Sequence, residues 1–152
     1  MSSPSGKSRG SRSPYAPAVT DGHPGDSTQV ETVFERVGGS AFFQQLAKAF
    51  YVGVRSDPVL LALYPQPDDL AGAERRLALF LTQYWGGPTT YSDERGHPRL
   101  RMRHAAYPID DAMRDRWLAH MNAAIDSCHL DESLSSELRD YFGRAADHLR
   151  NV

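Results

Sequence analysis

Residues 77–107 read LALFLTQYWGGPTTYSDERGHPRLRMRHAAY, and this stretch decides the fold. It opens with an apolar helix that ends at Trp85, because the GGP triplet at 86–88 stops it. A polar loop follows, and its Thr, Ser, Asp and Gly residues predict irregular backbone. The GHP triplet at 96–98 then opens a short basic segment that ends in His104. We therefore predict a long helix, a loop and a short helical segment in succession.

The histidine that ends the basic segment has two interpretations. A histidine on a short segment opposite an apolar helix is compatible with an axial ligand of haem iron. It is also compatible with an ordinary surface or core residue, which is the commoner role of a lone histidine. Spacing alone leaves both interpretations open. Four other histidines have no partner at metal-ligand spacing and are interpreted as surface residues: His97, His120, His129 and His148.

Composition predicts a globular protein of about one domain. The 152 residues are 40% hydrophobic and 24% charged, with a formal net charge of −2. This charge gives no reason to expect nucleic acid or an anionic membrane surface as a partner. The single cysteine, Cys128, excludes an internal disulfide framework and fits a reducing compartment, so we expect a cytoplasmic protein. No apolar run predicts a membrane span or a secretory signal.

Residues 1–28 are predicted to be a disordered N-terminal tail. They are rich in serine, proline and glycine and have almost nothing to bury. The tail is either a solvated extension or a weak interaction arm, and composition leaves both open. The folded domain is predicted to span residues 29–152.

Every element after residue 29 is predicted as a helix. Apolar residues recur three or four positions apart, so each long segment has one apolar face. The four long faces are Phe43, Leu46, Phe50 and Val54; Leu70, Ala73, Leu77, Phe80, Leu81 and Tyr84; Met113, Trp117, Met121, Ala124 and Cys128; and Leu134, Leu138, Tyr141, Ala145 and Leu149. No alternating pattern of useful length predicts a strand. We therefore predict an all-α domain whose faces converge on one core or on a group held inside it.

Helix starts are predicted at residues whose side-chain oxygen caps a helix N-terminus. The predicted caps are Ser40, Asp57, Asp68 or Asp69, Asp110 and Asp131. Pro58 follows one of them directly and suits the first turn of a helix. These five starts give one short helix and four longer ones. A second short helix is predicted at Val30–Val37 and ends at the glycine pair 38–39.

Six segments of the chain together resemble a known family. They are Phe50-Tyr51, Tyr64-Pro65, DLAGAERRL at 69–77, QYWGGP at 83–88, RGHPRLRMRH at 95–104, and Trp117. Over residues 31–150 the chain closely resembles the truncated haemoglobins, specifically group II of the actinobacterial type. The resemblance implies a truncated globin, a two-over-two helical sandwich that encloses haem b.

The resemblance also implies roles for nine residues. His104 matches the proximal histidine that binds iron through Nε2, and Tyr51 matches the distal tyrosine that faces bound ligand. Tyr64 matches a second distal tyrosine, and Trp117 matches a tryptophan whose indole N–H points into the distal pocket. The other expected cofactor-binding positions are Ala73, where many globins have a distal histidine, Leu77 and Phe80 on the haem-facing stripe, and Arg76 and Arg103.

The arginines near the expected haem have two interpretations. Arg76, Arg99, Arg101 and Arg103 form by default a solvated basic face. One or two of them, Arg103 before the others, could pair with the haem propionates, because a guanidinium binds a carboxylate through two hydrogen bonds.

The resemblance implies reversible binding of oxygen, and of other diatomics such as CO and NO, at a pentacoordinate ferrous iron. Two hydroxyls and one indole N–H around the ligand predict tight oxygen binding and slow release. The main hypothesis is therefore an oxygen-binding globin for storage, transport or sensing. The alternative is a redox enzyme, a nitric oxide dioxygenase or a peroxidase, served by a separate reductase. A third hypothesis is an all-α interaction domain without cofactor, and a homodimer is left open.

Overall fold

Eight α-helices and no strand make up residues 31–152, the part of the chain that the computed structural model describes. The predicted tail at 1–28 lies outside the described residues. The helices are α1 (Val33–Arg36), α2 (Ser40–Arg55), α3 (Pro58–Leu61), α4 (Leu70–Tyr84), α5 (Thr90–Arg95), α6 (Leu100–His104), α7 (Asp111–Ser127) and α8 (Glu132–Leu149). None of these eight helices is both long and apolar enough to cross a membrane. The all-α prediction is confirmed.

The four long helices form two packed pairs. Helix α2 packs on α4, α7 packs on α8, and α2 also contacts α7, which joins the two pairs. The short helices attach to this frame: α3 contacts α2 and α7, α5 contacts α4, and α6 contacts α8. The two-over-two sandwich implied by the resemblance is therefore confirmed.

The core forms where the predicted apolar faces meet. The α2 face is fully buried and consists of Phe43, Leu46, Phe50 and Val54. Burying a large apolar side chain in this way contributes about 1.5–3 kcal/mol relative to leaving it in water. On α4, by contrast, Ala73 and Leu77 are only half-buried. They line a cavity instead of packing against another helix.

Most of the predicted caps are present. Four aspartates each accept a hydrogen bond from the backbone N–H three residues further on: Asp57, Asp69, Asp110 and Asp131. The prediction for Ser40 is wrong, because Ser40 is already helical and Gly39 occupies the cap position with φ 94°. Glycine suits this left-handed backbone, which residues with a Cβ rarely adopt.

Helix α5 corrects the prediction of irregular backbone after residue 88. Its residues Thr90–Arg95 are polar, and local propensity alone does not favour a helix there. The side chain of Gln83 supplies the missing support, because its amide donates to Ser92 Oγ at 2.7 Å and accepts from Ser92 N–H at 2.9 Å. Tyr91 is also buried on this helix. Tertiary contacts from α4 therefore override a weak local preference.

The glycine pair after α4 lets two backbone segments approach closely. Gly86 has φ 111°, and a Cβ built on Gly87 would lie 2.5 Å from Phe34 Cε1. The N–H of Phe34 donates to the carbonyl oxygen of Trp85 at 3.1 Å. The pair therefore ends α4 and provides the space into which α1 packs.

Candidate functional site

A cavity of about 380 Å³ is lined by residues from seven of the eight helices. Its volume lies within the ~300–1,000 Å³ that is usual for cofactor pockets. All nine residues that the resemblance singled out line it: Tyr51, Tyr64, Ala73, Arg76, Leu77, Phe80, Arg103, His104 and Trp117. The fold thus brings together in one cavity positions that are up to 66 residues apart, from Tyr51 to Trp117.

The orientation of His104 is set by its own helix. His104 ends α6, and its Nδ1 lies 2.6 Å from the carbonyl oxygen of Leu100, one turn earlier. A carbonyl can only accept, so Nδ1 carries the proton and Nε2 keeps its lone pair. Such a bond to the second ring nitrogen is the usual support of a metal-binding histidine. His104 is therefore a preformed nitrogen ligand on the cavity wall.

Asn151 holds the segment that follows His104. Its side-chain amide donates to the carbonyl oxygens of His104 at 3.3 Å and Tyr107 at 2.9 Å, and its oxygen accepts from Ile109 N–H at 2.8 Å. Arg101 adds a hydrogen bond to the carbonyl oxygen of His148. These bonds fasten both sides of His104 to the C-terminal end of α8. Nothing in the local sequence pattern pointed to Asn151.

The three polar aromatic residues form a hydrogen-bonded chain. Burial raises the pKa of Tyr51, while a hydrogen bond donated by Tyr64 opposes the rise. Burial also raises the pKa of Tyr64 well above its ordinary value, as does the nearby Tyr51, whereas a hydrogen bond from Trp117 lowers it. The indole N–H of Trp117 therefore donates to Tyr64, and the Tyr64 hydroxyl donates to Tyr51. The Tyr51 and Tyr64 ring centroids lie 5.8 Å apart.

These hydrogen bonds link the three side chains that are expected to donate to one ligand, and their roles toward the ligand stay predictions. The hydrogens of Trp117 and Tyr64 are engaged between the side chains themselves. Trp117 belongs to α7 and Tyr64 follows α3, and these two helices are in contact. Trp117 also packs on Phe50, with ring centroids 5.1 Å apart.

The cavity wall carries cationic side chains and no acidic ones among residues 31–152. Four arginines line it: Arg76, Arg95, Arg103 and Arg114. Arg114 is paired with Asp147 at 2.7 Å. Arg103 is engaged too, because its guanidinium donates to the carbonyl oxygens of Pro98 at 2.6 Å and Arg95 at 3.1 Å.

Arg76 and Arg95 remain available for an acidic ligand group. Neither makes an ion pair with a carboxylate of the described residues. Arg103 already has backbone partners, and its pairing with a haem propionate stays a prediction. An apolar cavity with one nitrogen ligand and two unpaired guanidiniums suits haem, whose flat apolar ring carries an iron and two carboxylates.

His120 is not the unpaired surface residue that the sequence predicted. It is half-buried, and its Nε2 lies 2.8 Å from Oδ2 of the buried Asp57. Neither residue lines the cavity. Within residues 31–152, no three His, Cys, Asp or Glu side chains are grouped so as to hold a metal ion.

Comparison with known families and proteins identifies relatives over most of the described chain. The family described as bacterial-like globin matches residues 32–151. The group 2 truncated haemoglobin YjbI of Bacillus subtilis (strain 168) is 40% identical over 117 residues, which cover 74% of this chain and 84% of that protein.

Two solved structures have a similar fold. The thermostable haemoglobin from the actinobacterium Thermobifida fusca superposes with a TM-score of 0.78 at 54% identity, covering 80% of this chain and 98% of that one. The haemoglobin of the thermophilic phototrophic bacterium Chloroflexus aurantiacus has a TM-score of 0.77 at 45% identity, covering 81% and 100% of the two chains.

Proposed function

Because this chain belongs to the bacterial-like globin family, and within it to the group II truncated haemoglobins, we propose that it binds haem b in the described cavity and takes oxygen as its main ligand. Haem binding and the binding of diatomic ligands follow from the family. The proposal adds the residues, the haem type and the preferred ligand. The observation that supports it most directly is the Nδ1 bond of His104, which leaves Nε2 free on the wall of an apolar cavity.

His104 supplies the only nitrogen ligand in this proposal. When bound, haem supplies an iron that takes up a diatomic molecule and shifts negative charge onto it. The bond from His104 Nδ1 to Leu100 fixes the plane and the tautomer of the ring. Asn151 and Arg101 restrain the backbone on both sides, so the ligand position needs little rearrangement.

Tyr51 supplies the hydrogen bond to the ligand. Its hydroxyl donates into the cavity, while its oxygen accepts from Tyr64, which in turn accepts from Trp117. A chain of this kind polarises each donor in sequence, and each bond is stronger in a buried site than in water. Burial raises the pKa of both tyrosines, so both hydroxyls stay protonated donors throughout the physiological range.

Arg76 and Arg95 hold the carboxylates of the cofactor in this proposal. Both line the cavity, and both lack an acidic partner among the described residues. Arg103 contributes indirectly, because it holds the carbonyl groups of the loop before α6.

A second candidate function is redox chemistry, as a nitric oxide dioxygenase or a peroxidase with a separate reductase. The hydrogen-bonded chain of Trp117, Tyr64 and Tyr51 favours it, because a donor reinforced in this way retains oxygen. Slow release suits reaction of the ligand better than its delivery. Turnover with nitric oxide or peroxide and a physiological reductant separates the two functions.

Visible spectra of the purified protein test the main proposal. The ferrous protein should show a Soret band that shifts under oxygen and under CO. His104→Ala should lose stable haem, or leave a vacancy that added imidazole fills, whereas the exposed control His129→Asn should behave as wild type. A colourless protein that does not take up added haem would overturn the proposal. A wild-type spectrum for His104→Ala would overturn the ligand assignment alone.

A further inference from the structure

Asp57 is a buried carboxylate at the corner between α2 and α3. It is 7% exposed and caps α3 through a hydrogen bond from Leu60 N–H at 3.1 Å. The same carboxylate binds two side chains of α7. Arg116 Nη1 lies 3.0 Å and 3.1 Å from its two oxygens, and His120 Nε2 lies 2.8 Å from Oδ2. Every hydrogen-bonding direction of the carboxylate is used within this cluster.

The cluster fixes three helices relative to one another. Asp57 follows α2, begins α3 and binds α7. The imidazole of His120 lies directly on the α2 backbone, since a Cβ built on Gly53 would be 2.4 Å from its Nδ1. A buried carboxylate is costly unless charged or polar partners surround it, so this arrangement has little freedom to shift. Movement of α3 along α7 would break at least one of these bonds.

The ligand-facing side of the cavity depends on the same helices. Trp117 follows Arg116 on α7, and Tyr64 follows α3, to which it is tied by its N–H bond to the Leu61 carbonyl at 3.0 Å. The Trp117–Tyr64 hydrogen bond therefore connects α7 to a residue that follows α3, whereas the Asp57 bonds connect α7 to the residue that precedes α3. The two connections join the same pair of elements, one through a carboxylate and one through an indole N–H.

We propose that Asp57 is a positioning residue for the ligand-binding side of the cavity: through Arg116 and His120 it sets the distance over which Trp117 reaches Tyr64. It touches neither cofactor nor ligand. Its effect passes along the hydrogen-bonded chain to the Tyr51 hydroxyl, so this inference rests on the proposed function.

The test variant is Asp57→Asn in the haem-loaded protein. Asparagine is as good a helix cap as aspartate, so the start of α3 is kept while the charge that holds Arg116 and His120 is lost. We expect oxygen to dissociate about twofold to threefold faster, because the change acts through the Trp117–Tyr64 bond and cannot exceed the effect of losing that bond. CO dissociation should stay unchanged. An unchanged oxygen rate, or an equal acceleration of both ligands, would overturn the proposal.

A spectroscopic readout separates positioning from general loosening. Trp85 and Trp117 are the two tryptophans of the chain, so the indole N–H region of a nitrogen-15 spectrum of the CO form holds two side-chain signals. Trp85 Nε1 is buried with no hydrogen-bond partner in the described part and serves as internal reference. Asp57→Asn should shift the Trp117 signal and speed its exchange while Trp85 stays unchanged. An unchanged Trp117 signal would overturn the proposal.

Two further variants complete the design. Ile125→Val, in the buried core of the same helix α7, destabilises the protein without touching the cluster and should leave the Trp117 signal and the oxygen rate unchanged.

His120→Phe keeps a ring over Gly53 but removes the bond to Asp57, and it serves if Asp57→Asn does not fold. It should change oxygen release in the same direction by a smaller factor. Loss of the Soret band in the wild type would overturn the proposed function instead, so the two failures are distinct.

Discussion

The indole N–H of Trp117 donates to the hydroxyl oxygen of Tyr64 and thereby lowers the pKa of that hydroxyl. In the proposed function, Trp117 is therefore the first member of a chain whose last hydroxyl, on Tyr51, donates to the ligand. The three residues act in series, and their substitutions should have graded effects.

Tyr51→Phe removes the donor nearest the ligand and keeps the ring. A hydrogen bond lost in a buried site costs about 1–3 kcal/mol. At ~1.4 kcal/mol per tenfold, oxygen should dissociate roughly ten to a hundred times faster. CO dissociation should change less, because bound CO carries less charge. Stopped-flow ligand replacement measures both rates, and an oxygen rate close to wild type would contradict the role of Tyr51.

Trp117→Phe should accelerate oxygen release less than Tyr51→Phe does. It removes a bond to Tyr64 and leaves the Tyr51 hydroxyl in place, so the ligand loses only the cooperative part of the interaction, ~10–30% of a bond. Stopped-flow ligand replacement on both variants shows which substitution accelerates oxygen release more. A larger effect for Trp117→Phe would mean that its N–H reaches the ligand itself.

Arg76→Gln should raise the rate of haem loss several-fold. The substitution removes a guanidinium that lines the cavity and has no carboxylate partner in the described part of the chain. The matched control is the neighbouring Arg75→Gln, because Arg75 is exposed and already bound to Glu94 at 2.8 Å. Transfer of haem to an excess of apomyoglobin measures the rate. Equal rates of haem loss for the two variants would contradict the role of Arg76 in binding the cofactor.

The Asp57 cluster should make stability depend on acid pH. The hydrogen bond from His120, with further bonds from Leu60 N–H and Arg116, lowers the pKa of Asp57 from 3.8 to about 2. A lowered folded-state pKa stabilises the protein above the unfolded-state value, and that contribution is lost as pH falls through the folded-state value. The free energy of unfolding should therefore decrease between about pH 4 and pH 2.

Asp57→Asn is the control for this pH dependence. The difference in unfolding free energy between wild type and variant should be constant at neutral pH and shrink below about pH 4, where Asp57 of the unfolded chain is protonated. Urea titrations across that range measure it. A difference that persists undiminished at pH 2 would show that the carboxylate charge is not what stabilises the cluster.

Two glycine substitutions should have opposite effects. Gly87→Ala places a Cβ 2.5 Å from Phe34 Cε1 and 2.8 Å from Thr82 Cγ2, so we expect a loss of about 1–3 kcal/mol from overpacking. Gly143 lies inside α8 with nothing within 4 Å of an added Cβ. Gly143→Ala should therefore stabilise the protein by about 0.5–1 kcal/mol. Thermal unfolding of both variants checks the pair, and stabilisation by Gly87→Ala would contradict the close contact.

The sequence was sufficient for the helices and for the membership of the cavity wall. Apolar periodicity locates α2, α4, α7 and α8, and aspartates mark three of their starts and that of α3, because these signals act within a few residues of chain. The site residues were recognisable because a family motif fixes the spacing around His104. Their meeting in one cavity then follows from the fold.

The interactions between distant side chains were not predictable in this way. Gln83 supports α5, Asn151 holds the His104 segment, and His120 binds Asp57 across 63 residues. Each depends on where a polar side chain points after the helices have packed. The same holds for the Trp117–Tyr64 bond, which joins side chains 53 residues apart.

The contact between Gly53 and His120 has an evolutionary consequence. A Cβ at residue 53 would fall 2.4 Å from His120 Nδ1, so residue 53 accepts no larger side chain while His120 stays in place. Among descendants of this chain, a larger residue at 53 should appear only after, or together with, a smaller one at 120. That loss would also release Asp57, so lineages that drift at this pair should show altered ligand retention without any change in the cavity wall.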